Sequence, residues 1–244
     1  MRLCVYAIDV IPDVATARRV DDLRDLDDAA ITKVLMHERK QRPGSRDTLR
    51  WDQLAVAGLS IVRHTPDNLA IESMNLATHA EEAMLRALFA AVSDCDHALS
   101  WSGQGATLSM LRFRALLHRL TLPPAWADVD GSGDPWRDLD TLIAGLSNDV
   151  PSLDALAIKL GFPGMLQYSG FDAVSAWLND ALDEVQRAGE LRAINSYLVA
   201  LRLFAARGII TRYDNDRFEG NLRELLDDRK SDHFGRFLAA WRDA

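Results

Sequence analysis

Val5-Tyr6-Ala7-Ile8-Asp9-Val10-Ile11-Pro12-Asp13 is an apolar run interrupted by one acid and stopped by a proline. From Leu3 to Ile11 the run is short, apolar and ended by Pro12, which predicts a buried strand. Alternate side chains of a strand share a face, so Ala7 and Asp9 point the same way. The next segment, residues 13–50, is polar and mostly helical in pattern. It carries a charge-dense run at residues 18–28 and breaks at Pro43-Gly44-Ser45. Residues 54–62 and 69–74 are strand-like runs on either side of His64-Thr65-Pro66-Asp67-Asn68, the pattern of a hairpin.

Beyond the hairpin, Met84, Leu85, Leu88, Phe89 and Val92 recur at helical spacing. A short strand at 98–101 ends at Gly103 and Gly105, and a helix over 108–120 closes at Pro123-Pro124. After this strand–helix step the pattern is mainly helical. Segments 139–146, 153–160, 171–187 and 191–206 are separated by glycine and proline. Strands early and helices late predict an α/β fold, a mixed sheet flanked by helices with a helix-rich C-terminal half.

Three segments, in order, give this pattern a more specific meaning: the opening run, Leu99-Ser100-Trp101-Ser102-Gly103-Gln104-Gly105-Ala106-Thr107, and Ala188-Gly189-Glu190-Leu191-Arg192-Ala193-Ile194-Asn195-Ser196-Tyr197. The chain resembles the DEDD proofreading superfamily of 3′–5′ exonucleases. It is most similar to the predicted exonucleases related to the proofreading domain of family-B DNA polymerases. Supporting texture comes from Arg112-Phe113-Arg114-Ala115-Leu116, from Pro151-Ser152-Leu153-Asp154-Ala155-Leu156-Ala157, and from Leu160-Gly161-Phe162-Pro163-Gly164. The resemblance implies a ribonuclease-H-like fold over residues 1–213, with residues 214–244 as a helical extension packed on it or used for assembly.

Such exonucleases hold two divalent metals, which activate a water and stabilise the leaving oxygen. Hard ions of this kind want carboxylate ligands. The family's four acids map here onto Ala7, Asp9, Thr107 and Arg192, and the tyrosine that positions its water maps onto Ala188. One carboxylate survives and one has become a cation. A lone carboxylate cannot hold two divalent ions, so no catalytic residue, metal or other cofactor is expected. A guanidinium there can pair with Asp9, or the two groups stand apart in solvent. The resemblance therefore implies a catalytically inactive pseudo-exonuclease acting as a binding or assembly module. Its binding candidates are Asp9, Arg192, Trp101, Ser102, Arg112 and Arg114. The alternatives are an exonuclease with altered ligands, using Mg or Mn and recruiting Asp13, Asp138 or Asp140, and a nucleic-acid-binding domain that does not cut.

Composition bounds these readings. The 244 residues are 48% hydrophobic and 26% charged, enough for one large domain with a core. A net charge of −8 argues against strong nonspecific nucleic-acid binding, which depends on cations neutralising phosphates. It leaves room for a local basic surface, for which Arg112, Arg114 and Arg202 are candidates. Cys4 and Cys95 lie in apolar stretches and read as buried free thiols. No stretch approaches the roughly 20 apolar residues of a membrane span. With no signal-peptide pattern at the N-terminus, a cytoplasmic setting is expected.

Three other features carry less. Asp128-Val129-Asp130-Gly131-Ser132-Gly133-Asp134 resembles half a calcium loop, but Leu139 stands where the bidentate glutamate belongs, and an acidic loop is the reading. Six histidines are dispersed without metal spacing. In the tail, Leu222, Leu225, Phe237 and Trp241 recur at helical spacing. That stripe packs on its own domain or serves a protein partner or self-association.

Overall fold

The computed structural model describes residues 1–20, 23–41, 48–101, 106–127, 136–145, 147 and 149–242. Strand β1 (Leu3–Pro12) pairs antiparallel with β2 (Leu54–His64), which pairs antiparallel with β3 (Leu69–Asn75). On its other side β1 pairs in parallel with β4 (His97–Ser100), and β4 with β5 (Trp136–Asp138). The order β3-β2-β1-β4-β5 puts β1 at the centre, which is why its sequence is apolar on both faces.

The alternation along β1 divides two cores. Leu3, Val5 and Ala7 belong to one, with helix α9 (Leu182–Ala206). Cys4 and Tyr6, with Ile8 and Val10 behind them, belong to the other, with α3 (Glu81–Ser93) and α4 (Ala106–His118). Helices thus cover both faces, and the fold is ribonuclease-H-like. Between β1 and β2 in the chain run α1 (Val14–Val20) and α2 (Asp28–Gln41), with Ile31 and Leu35 in a small third core. The short helices α5 (Pro124–Ala127), α6 (Leu139–Ala144), α7 (Leu153–Lys159) and α8 (Ala173–Leu178) follow.

The expected strands and hairpin form, each within a few residues of the sequence reading. The late helices differ. The sequence pattern predicts a break at Gly189, yet α9 runs through it for 25 residues. The real break precedes α9, at Asp180, whose φ of 55° lies in the left-handed region. Gly189 serves the approach of helix to sheet instead. A Cβ there would stand 2.9 Å from Ser60 Oγ and 3.0 Å from Asp9 Oδ2. Gly58, beside a bulge in the β1–β2 register at Asp9/Val10, has the same role: its Cβ would stand 2.9 Å from Val185 Cγ1.

The tail forms α10 (Arg212–Asp228) and α11 (Asp232–Arg242). Leu222 and Phe237 are fully buried, Trp241 nearly so, and Leu225 packs against them, all in the core that contains α9. These residues are therefore corrected from interaction anchors to core residues. A stripe of this kind looks the same in sequence whether its own domain or a partner covers it. His233 and Glu190 (2.5 Å) tie α11 to α9, and Arg229 donates to the Ile71 carbonyl of edge strand β3 (2.5 Å).

Candidate functional site

The C-terminal end of β1, the end of β4 and the middle of α9 converge, bringing Asp9, Trp101 and Arg192 of the three motif segments to one place. Asp9 is 5% exposed. Arg192 Nη1 donates to its Oδ1 at 2.7 Å across 183 residues of sequence. Burial pushes the Asp9 carboxyl above its usual range, while the charge and hydrogen bond of Arg192 draw it back. Its other oxygen faces Gly189. Ala7 and Ala188, both buried, join the same apolar core beside the pair. Thr107 lies half-buried in the first turn of α4, and Ser102 lies outside the described residues.

Arg192 also lines a cavity of about 410 Å³ with Trp101, Asp140, Asp154, Tyr168 and Phe171. Two of its acids are engaged locally. Asp154 accepts from the Met165 amide (2.6 Å) and the Ser169 hydroxyl (2.7 Å). Asp140 accepts from the amide of Thr141 (2.7 Å) in the first turn of α6. Asp138, at the end of β5, accepts from Ser100 Oγ (3.3 Å). Arg192 is the cation of this wall.

Asp13 faces elsewhere. Arg114, 4% exposed, binds both Asp13 and Glu81, and His118 Nε2 lies 2.9 Å from Glu81. Asp13 also caps α1 through the amide of Thr16 (2.9 Å). Arg114 is thus a buried ion-pair centre joining the end of β1 to α3 and α4, and its candidacy for a basic surface is corrected accordingly. The other candidates for that surface are also engaged. Arg112 Nε donates to the Trp126 carbonyl (3.0 Å), and Arg202 Nε meets Glu219 at 3.1 Å.

In sequence, Asn195-Ser196-Tyr197 is only texture within the third motif segment, and the structure gives two of these residues work. Asn195 is fully buried and donates to the carbonyls of Gly164 and Leu191, both at 2.8 Å. It fixes the Phe162-Pro163-Gly164 turn on α9. Tyr197 Oη is 2.9 Å from His64 Nδ1. The signal available is the small polar residue inside an otherwise apolar helix, which needs a buried partner.

An α/β domain with this strand order and this junction of first strand and late helix is an exonuclease-like domain. The chain belongs to the family described as predicted 3′–5′ exonucleases related to the exonuclease domain of PolB, whose model matches residues 47–241. The match includes the tail and begins after the Asp9 segment. Among solved structures, the chain is similar to the family B DNA polymerase from the hyperthermophilic archaeon Pyrobaculum calidifontis. Identity is 16% and the TM-score 0.53, over 84% of this chain and 24% of that one. The chain thus spans about a quarter of the polymerase. No curated protein matches it.

Against the two-metal chemistry of such a fold, the residues at this junction do not fit. Asp9 is the one carboxylate among Ala7, Asp9, Thr107 and Arg192, and a guanidinium already holds it. Among the described residues no three of His, Cys, Asp and Glu gather as a metal site requires.

Proposed function

We propose that this protein is a catalytically inactive member of its family, a pseudo-exonuclease kept as a binding or assembly module. The Asp9–Arg192 pair carries the reading. A fixed cation on the lone carboxylate repels a divalent ion and consumes the oxygen that would bind it. In-line phosphoryl displacement needs metal charge on both the attacking and the leaving oxygen, and neither alanine nor threonine supplies the ligands for it.

The cleft around Trp101 and Arg192 remains as the binding surface of this reading. Its ligand is a protein segment or a nucleic-acid end held without hydrolysis, and no cofactor takes part. The engagement of Arg112, Arg114 and Arg202 within the molecule weighs against a broad nucleic-acid surface.

Labelled single-stranded DNA and RNA incubated with the pure chain in Mg²⁺ or Mn²⁺ test the reading. The expected result is full-length substrate with wild type and with Asp9→Ala alike. Trimming from the 3′ end by wild type and not by Asp9→Ala defeats it.

A further inference from the structure

The cleft beside the Asp9–Arg192 pair is lined by three aromatic rings, Trp101, Tyr168 and Phe171, and by two acids, Asp140 and Asp154. Leu153 and Met165 add aliphatic surface. Tyr168 and Phe171 meet edge to face, ring centroids 5.7 Å apart. Asp9 already balances the charge of Arg192 at 2.7 Å. The two acids have no such balance. Among the described residues neither has an ion-pair partner, and every donor to them is a neutral amide or hydroxyl. Asp154 has both oxygens taken, by the Met165 amide and the Ser169 hydroxyl. Asp140 differs. It is 4% exposed, and the amide and hydroxyl of Thr141 both donate to its Oδ1 (2.7 and 3.4 Å). Its Oδ2 has no partner among the described residues and is not sealed off. That oxygen opens on the cleft that Asp140 lines.

We propose that this cleft receives an arginine side chain presented by a partner protein. The inference rests on the reading of the cleft as a binding surface, and it selects the protein segment over the nucleic-acid end. A nearly buried carboxylate with one oxygen open favours a cationic donor, because charge-assisted hydrogen bonds are the strong ones. Aromatic faces attract the same cation, and a planar guanidinium stacks on them. The aliphatic stem of arginine suits the apolar part of the wall. A phosphate would instead face two uncompensated acids, with the guanidinium of the wall already held by Asp9. A divalent ion wants a shell of oxygens, whereas both oxygens of Asp154 are engaged and the remaining wall is largely aromatic or aliphatic.

The test follows the methyl group of Met165, which lines the cleft, by NMR of the full-length chain labelled at methionine. The probes are acetyl-Gly-Arg-Gly-amide, the same peptide with neutral citrulline in place of arginine, and an oligothymidylate. The arginine peptide should shift the Met165 signal saturably. Affinity should fall about tenfold with citrulline, and about tenfold in Asp140→Asn, which keeps an oxygen for the Thr141 amide. Added salt should weaken the arginine peptide and not the citrulline one. An arginine peptide that gives no saturable shift overturns the proposal. So does equal affinity for the citrulline peptide, or an oligothymidylate that displaces the arginine peptide. The last two results leave a cleft that binds, and with it the reading of a binding module. Trimming of the oligothymidylate in Mn²⁺ would overturn that reading itself. The comparison of peptides in wild type stands even if Asp140→Asn does not fold.

Discussion

Removing the Arg192 guanidinium leaves Asp9 buried without an opposite charge. Loss of one partner of a buried pair costs roughly 3–5 kcal/mol. Arg192 is a quarter exposed, so about 2–3 kcal/mol is expected for Arg192→Ala once solvent screening is allowed for. The loss should depend on pH. Burial raises the Asp9 carboxyl in the fold, and without Arg192 nothing offsets that rise. The unfolded chain then gives up its proton at lower pH than the folded one. Stability of Arg192→Ala should therefore fall as pH climbs above the usual carboxylate range. Denaturant titration across pH checks this. Asp9→Asn added to Arg192→Ala should flatten the dependence, and a flat profile in the single variant contradicts it. That the Asp9 strand and the Arg192 helix meet was legible from the order of the motifs; that the two side chains pair was left open, because motif order does not set the direction of a helix side chain. The burial of Arg114 was not. Its partners lie 101 and 33 residues away, and an arginine on a helix reads alike whether solvated or paired.

Among the elements, α9 shows how much a helix can hide in sequence. Glycine in a helix interior costs about 1 kcal/mol relative to alanine, and Gly189 accordingly reads as punctuation. It is retained because Ser60 and Asp9 occupy the space a Cβ needs. Gly189→Ala is expected to destabilise by about 1–2 kcal/mol, since overpacking outweighs the gain in propensity. Gly220, in α10, has open space where a Cβ would stand, with nothing within 4 Å, and no positive φ. Gly220→Ala should stabilise by about 0.5–1 kcal/mol. Chemical denaturation of the two variants should give shifts of opposite sign; the same sign contradicts the packing account. The tail was legible as amphipathic but not as to what covers it. With Leu222, Phe237 and Trp241 inside the α9 core, deletion of residues 214–244 should leave a chain without a cooperative thermal transition. A truncated chain that melts like the full one would show the tail to be dispensable to the core.

At the scale of the whole molecule, acid stability and the cleft reflect different balances. His64, on β2, joins Tyr197 on α9 and stacks edge-on against Phe218 on α10, ring centroids 4.2 Å apart. Burial, then the positive N-terminus and Arg217, lower its pKa from 6.5 to about 4. The unfolded chain takes up this proton first as pH falls, so the contribution is complete above about 6.5 and lost on descending to about 4. It amounts to on the order of 2 kcal/mol after allowance for solvent screening. His64→Gln should lose that part of the acid slope, and an unchanged slope would place the dependence elsewhere. A buried β1 with helices on both faces of the sheet followed from the hydrophobic pattern; the strand order did not, and the three-residue β5 is too short to leave a pattern. The cleft's electrostatics followed only in part, because the engagement of Asp140 and Asp154 depends on turns that no periodicity records.

The claim that Arg192 stands in the place of the metals is met most directly by calorimetric titration of the pure chain with Mn²⁺, in wild type and Asp9→Ala. A lone carboxylate already held by a guanidinium should give no saturable heat, and the two titrations should superimpose. A tight, stoichiometric Mn²⁺ site in wild type that vanishes in Asp9→Ala would contradict it.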